Sequence, residues 1–200
     1  MSVRERAAGG RTVRWGVLYR SGQLSNLTRR GLAQFGALGL TTLIDLRSDE
    51  EREQAPDRLP AGAPICVVEI PILDVMREFG HELTHRLSTG DVAGVDVPAL
   101  MARTYRQFAV AFTPQFGQVM REVLAAEGRP VLFHCTAGKD RTGFAAALLL
   151  RLLRVPQETV LRDYAMSTRY VLETWRRDIL LLRLTRGRPA AEVVRQLCSA

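Results

Sequence analysis

The sequence predicts an α/β fold: a central, mostly parallel sheet of about four or five strands flanked by helices. Short apolar runs alternate along the chain with longer segments of helical period. One such run, TTLIDL, ends in the polar cluster RSDEE, as a buried strand does on leaving a sheet. A second, VLFHC, follows the turn EGRP and leads into a helical segment. Strand, loop and helix in that order repeat the unit of a parallel sheet.

Taken in order, GVLY (16–19) is a short strand, and Thr28 caps a helix through LTRRGLAQFGALG. TTLIDL (41–46) and PICVVEIPI (64–72) are further buried strands, the second flanked by prolines. A helical pattern covers 97–126, with a break expected at Pro114. VLFHC (131–135) is a buried strand. RTGFAAALLLRLL (141–153) is a helix that Pro156 stops, and a long helical stretch begins at QETVL. In such sheets ligands bind beyond the carboxyl ends of the strands, where Arg47 and Cys135 fall.

Two hundred residues with 46% apolar content suit one domain over 1–200. The net charge of +7 favours anionic partners. The basic residues are almost all arginine and are spread along the chain, so a solvated arginine-rich surface is expected, not nucleic-acid binding. Three widely spaced cysteines, Cys66, Cys135 and Cys198, argue against a disulfide framework and for a reducing compartment. MSVRERAAGG lacks an apolar core, which leads to an expectation of no signal peptide and a cytoplasmic location, with non-classical secretion left open. The longest apolar run, FAAALLL, is far too short for a membrane span. The oligomeric state is not legible.

The chain holds three histidines, three cysteines and one lysine, and one of each falls in HCTAGKDRTG (134–143). A loop closing onto a helix N-terminus presents backbone N–H groups and the positive end of the helix dipole. The stretch from Cys135 to Arg141 can curl round one tetrahedral anion, with the amides of Thr136, Ala137, Gly138 and Lys139 turned inward. Gly138 allows the backbone angles such a curl needs. Arg141 can close the ring with a bidentate contact to two anion oxygens. Cys135 then lies beneath the anion, where the same field favours its thiolate. Thr142 can donate its hydroxyl to that thiolate, and His134 can hold the loop through a backbone hydrogen bond. The bland alternative is a small buried cysteine and a helix-capping arginine.

HCTAGKDRTG resembles the signature loop of the cysteine-dependent protein tyrosine phosphatase superfamily, and its KD pair is similar to the bacterial atypical tyrosine/serine phosphatases of the mycobacterial protein tyrosine phosphatase B type. RWGVLYRSGQLSNLT (14–28), TTLIDLRSDEE (41–51), MARTYRQF (101–108) and RDYAMS (162–167) match that family in place and order. The resemblance implies a tyrosine-phosphatase-like sheet and a metal-free, cofactor-free reaction through a cysteinyl-phosphate. It implies phosphotyrosine as substrate, with phosphoserine, phosphothreonine and phosphoinositides as extensions. It also implies that Lys139 adds a cation beside the pocket and that 75–97 carries a variable flap.

Transfer of phosphoryl to sulfur needs a proton for the departing oxygen. The family places an aspartate after the strand equivalent to PICVVEI, which is Asp74 here; a helix N-cap is its other reading. Asp140, inside the loop and expected beside Arg141, is the second candidate, as an acid or as a salt bridge ordering the loop. Arg47 is a candidate for the substrate's anionic group, or else for a surface salt bridge with Glu50 or Glu51. Asp163 could hold a loop arginine from the later helix, but a solvated carboxylate is the expected reading.

HELTH (81–85) matches the H-E-x-x-H pattern of zinc proteases. Asp91 is the third ligand such a site would use, but Ser88 stands where those proteases have glycine. A solvated flap helix is the expected reading. The remaining alternative to a phosphatase is a phosphate-binding module that has lost turnover.

Overall fold

The computed structural model describes residues 12–73, 83 and 85–199. Four strands form one parallel sheet, β1 (Leu18–Ser21), β2 (Thr42–Asp45), β3 (Cys66–Glu69) and β4 (Val131–His134), in the order β1-β4-β2-β3. The two most buried strands take the centre. Every residue of β4 is buried, as are Leu43, Ile44 and Asp45 of β2. A strand covered on both faces needs such a continuous run. The register aligns Ser21, His134, Asp45 and Glu69 in one row at the carboxyl ends. A polar row thus crosses the sheet just before Cys135.

One boundary and one burial differ from the sequence expectation. β1 lies two residues later than GVLY. β3 is a largely exposed edge strand, not a buried one, because the chain order leaves β2 as its one neighbour. Its β-branched run fits the pleat whether or not a second face is covered.

The chain divides into two compact units. The first, residues 1–72 and 114–164, holds the sheet with α1 (Arg29–Gly36) and α2 (Asp49–Gln54). Thr28 caps α1 through Gly31 N–H. Leu24, Phe35, Leu40, Leu43 and Leu132 form one core cluster of this unit. The second unit, residues 73–113 and 165–200, holds α3 (Val97–Val110). α4 (Thr113–Ala125) follows after a two-residue break, with Pro114 in its first turn where a missing N–H costs nothing. α5 (Asp140–Leu152) belongs to the first unit, and the 29-residue α6 (Gln157–Thr185) runs from the first into the second.

A further helix, α7 (Arg188–Ser199), completes the second unit. Ala190 and Val193 pack with Val97 and Met101 of α3, and Val194 and Cys198 pack with Val171 of α6. All three cysteines are free thiols.

Candidate active site

β4 delivers Cys135 to the carboxyl edge of the sheet, and α5 starts five residues later. The Cys135 side chain is buried, and its Sγ accepts a hydrogen bond from Gly138 N–H at 3.3 Å. One loop amide is therefore turned inward onto sulfur. Gly138 makes the curl possible in two ways. Its φ is +70°, and an added Cβ would stand 2.6 Å from Gly22 N and 2.7 Å from the Ser21 carbonyl. The segment leaving β1 is the floor on which the loop rests: Gln23 N–H donates to the Thr136 carbonyl at 3.0 Å. This contact accounts for the SGQ of the N-terminal motif. At the other side, a Cβ on Gly143 would meet the Tyr164 ring at 2.6 Å, which ties the RTG of the loop to the DY of α6.

Arg141 is aimed by Glu51, which the sequence offers only as a surface partner for Arg47. Glu51 accepts from Arg141 Nη1 and Nη2, both at 2.7 Å, and from the Thr136 hydroxyl. Nη1 also lies 3.5 Å from the Leu46 carbonyl and 3.4 Å from that of Ile72. Glu51 is itself fixed by a capping box. Its amide donates to Ser48 Oγ and its carboxylate accepts from Ser48 N–H at 2.9 Å. Burial alone would raise the Glu51 pKa. The bonds to Arg141 and its charge, then the Thr136 hydroxyl and the Ser48 amide, outweigh this and hold the carboxyl at about 2. The pattern S-x-x-E in RSDEE was the available signal. It locates the cap, not the 90-residue reach to Arg141.

Beneath the loop lies a second polar layer. Arg47 is about 1% exposed. Its Nε and Nη2 bind Asp45 at 2.7–3.1 Å, its Nη2 meets Asp57 Oδ2 at 2.9 Å, and its Nη1 donates to the Ala55 carbonyl at 2.8 Å. Burial would lower the Arg47 pKa, but hydrogen bonding and charge from Asp45, with Asp57 and Glu51, raise it. The expectation that Arg47 meets the substrate is therefore corrected. It is an internal cation neutralising the buried Asp45 and the half-buried Asp57, and neither a substrate ligand nor a surface salt bridge. Asp57 also accepts from Leu24 N–H at 3.1 Å and lies 3.1 Å from His134 Nε2. Burial opposes this, but His134, Arg47 and the Leu24 amide together lower the Asp57 pKa. His134 Nδ1 lies 3.3 Å from its neighbour's carbonyl, Cys135 O, and the ring is fully buried. Asp45, Asp57 and His134 have the donor types of a metal site, with ligand atoms within 4.8 Å of one another. The Arg47 guanidinium already bridges the two carboxylates, so the charge a metal would supply is in place.

The remaining site candidates divide. Lys139 is about 1% exposed, and its Nζ donates to Asp140 Oδ1 at 3.0 Å, so its charge serves the loop from within. Asp140 pairs with Lys139 and lies 3.5 Å from the Tyr164 hydroxyl; the carboxylate bound to Arg141 is that of Glu51. Thr142 is buried, and its Oγ1 has no hydrogen-bond partner among the described residues, Cys135 Sγ included. Asp163 is corrected: it is buried and forms an ion pair with Arg20 of β1 at 3.1 Å. Burial raises its pKa more than Arg20 lowers it. Asp74, His81 and Glu82 lie outside the described residues. His85 is exposed at the start of the helical turn 85–89, where its carbonyl accepts from the Ser88 hydroxyl at 2.7 Å.

The chain can be set beside known proteins. A protein of Cupriavidus necator, whose name assigns it provisionally to the tyrosine-protein phosphatases, is 40% identical; the match covers 80% of this chain and 56% of that protein. The triple specificity protein phosphatase PtpB of Mycobacterium tuberculosis is 34% identical over 83% of this chain and 66% of its own length. A tyrosine-protein phosphatase of Nostoc commune is 32% identical over 86% and 55%. The chain thus spans between about half and two thirds of the length of these relatives. The model of the tyrosine phosphatase family matches residues 4–197. The cysteine loop, the glycine contacts that seat it and a match over nearly the whole chain together establish that this protein belongs to the tyrosine phosphatase family.

Proposed function

We propose that the chain hydrolyses phosphomonoesters through a cysteinyl-phosphate intermediate. The observation that carries this reading is the pairing of a buried Cys135 Sγ, bonded to an inward loop amide, with an Arg141 whose guanidinium is fixed by Glu51. The amides of Thr136, Ala137, Gly138 and Lys139 and the N-terminus of α5 cradle the phosphate. Arg141, aimed by Glu51, grips two of its oxygens with its guanidinium fork. The Cys135 thiolate attacks phosphorus, the phosphorus–oxygen bond to the leaving group breaks, and the departing oxygen takes a proton. Water then attacks the cysteinyl-phosphate, releasing inorganic phosphate and restoring the thiolate. Thr142, whose buried hydroxyl has no other partner among the described residues, donates to sulfur as it departs.

Asp140 and Asp74 are the candidate acids. The substrate class is phosphotyrosine, extending to phosphoserine, phosphothreonine and phosphoinositides, in line with the triple specificity named for PtpB. The domain acts from the cytoplasm and needs neither metal nor cofactor. The test is phosphate release from phosphotyrosine, phosphoserine and phosphoinositide substrates, with and without chelator. Release should persist with chelator, stop with vanadate and vanish in Cys135→Ser, while His81→Ala and His85→Ala stay active. Loss on chelation, restored by zinc, contradicts the reading.

A further inference from the structure

The second unit ends in a surface that catalysis does not use. Residues 176–195 carry six arginines (Arg176, Arg177, Arg183, Arg186, Arg188, Arg195) against two acids (Asp178 and Glu192). Within this basic stretch α6 exposes three leucines: Leu180 at 55%, Leu181 at 59% and Leu184 at 76%. With Arg177 they follow i, i+3, i+4, i+7, one stripe along the helix. α6 and α7 also line a groove of about 610 Å³, walled by Arg183, Arg188 and Arg195 over Ile179 and Pro189. Glu192 faces Arg195 at 2.8 Å, which leaves the arginine side of the groove in excess.

We infer that the C-terminal end of α6 and the start of α7 dock on an anionic phospholipid bilayer. The leucines enter the headgroup boundary and the arginines of the groove bind lipid phosphates. A helix with leucines flanked by arginines has the composition that lies in a membrane interface. Among the described residues no helix is long and apolar enough to cross a membrane, so this surface lies on the bilayer and does not span it. Charge selects the occupant. A second copy of the chain would bring the same arginine excess against itself, whereas an anionic leaflet attracts it by about 1 kcal/mol per arginine near the surface.

The test is co-sedimentation with vesicles of phosphatidylcholine alone and of phosphatidylcholine mixed with phosphatidylserine. It reads binding without turnover, so its outcome is separate from that of the phosphatase reading. The chain should bind the anionic vesicles, less at high salt, and leave the neutral ones in solution. Leu180→Ser with Leu184→Ser, and Arg183→Glu with Arg188→Glu, should each weaken binding by at least about ten-fold with the circular dichroism unchanged. Where a double change unfolds the chain, Leu184→Ser alone serves. Arg29→Glu with Arg30→Glu, exposed on α1, should bind as the parent does. Equal binding to neutral vesicles overturns the inference, as does a loss in the α1 variant matching that in Arg183→Glu with Arg188→Glu. A dimer that Leu180→Ser with Leu184→Ser dissolves, with no vesicle binding, overturns it in favour of a second copy.

Discussion

Replacing Glu51 by glutamine removes one charge and little else. Glutamine keeps the shape of the side chain and can serve at the third position of the capping box, so α2 retains its cap. What is lost is the ionic hold on Arg141, with both N···O contacts at 2.7 Å. An upper bound on that hold follows from the carboxyl group, which, against burial, Arg141 first, then the Thr136 hydroxyl and the Ser48 amide, lower to about 2 from an ordinary 4.5. At about 1.4 kcal/mol per unit this is roughly 3 kcal/mol. The side chain is 30% exposed, and solvent screening reduces the figure to about 2 kcal/mol. The sign follows from linkage. A carboxyl lowered by folding stabilises above its unfolded pKa, and that contribution fades as pH falls from about 4.5 towards 2. Thermal unfolding at neutral pH should place Glu51→Gln about 4–8 °C below the parent. The gap should narrow as pH falls through that window. Because Arg141 is no longer aimed, kcat/KM for an aryl phosphate should drop by at least about ten-fold. A variant as stable as the parent at pH 7, or a gap that widens in acid, refutes the argument.

Arg141→Lys keeps the charge but loses the planar fork, and kcat/KM should fall by at least about 100-fold. A near-normal rate would mean that the loop does not grip phosphate. Gly138→Ala sets a Cβ against the backbone of Ser21 and Gly22, whereas Gly39→Ala, at φ +62°, meets nothing within 4 Å. Denaturant titration should therefore show a loss of about 1–3 kcal/mol at Gly39 and a larger one at Gly138, with turnover lost at Gly138 alone. For the acid, Asp74→Asn should slow a substrate with a high-pKa leaving group far more than a nitrophenyl phosphate, while Asp140→Asn should slow both alike. The opposite pattern exchanges their roles.

The strand-loop-helix core of the site was legible because each part is local. An unbroken apolar strand, a glycine and a helix start are all written between 131 and 143. What was misread depends on partners distant in sequence. TTLIDL and CVVE have the same β-branched character, and strand order alone makes one central and the other an edge. Arg47 stands in a polar cluster that looks solvated, and nothing nearby announces that Asp57 and His134 meet beneath the loop. Glu51 is visible as a cap, but its bond to Arg141 exists because β2 and β4 are neighbours in the sheet. Asp163 looked solvated because its partner, Arg20, lies 143 residues away on β1. α7 is different: its residues Ala190, Ala191, Val193, Val194 and Cys198 form an apolar face. That face was readable as helical and was passed over.

The most direct test of the central claim is to quench the reaction of the full chain with an aryl phosphate in acid and map the phosphate by mass spectrometry. The account predicts one phosphate, on the sulfur of Cys135, appearing within the first turnover and absent from Cys135→Ser. Steady turnover with no phosphate on Cys135, or with phosphate on any other residue, would contradict it.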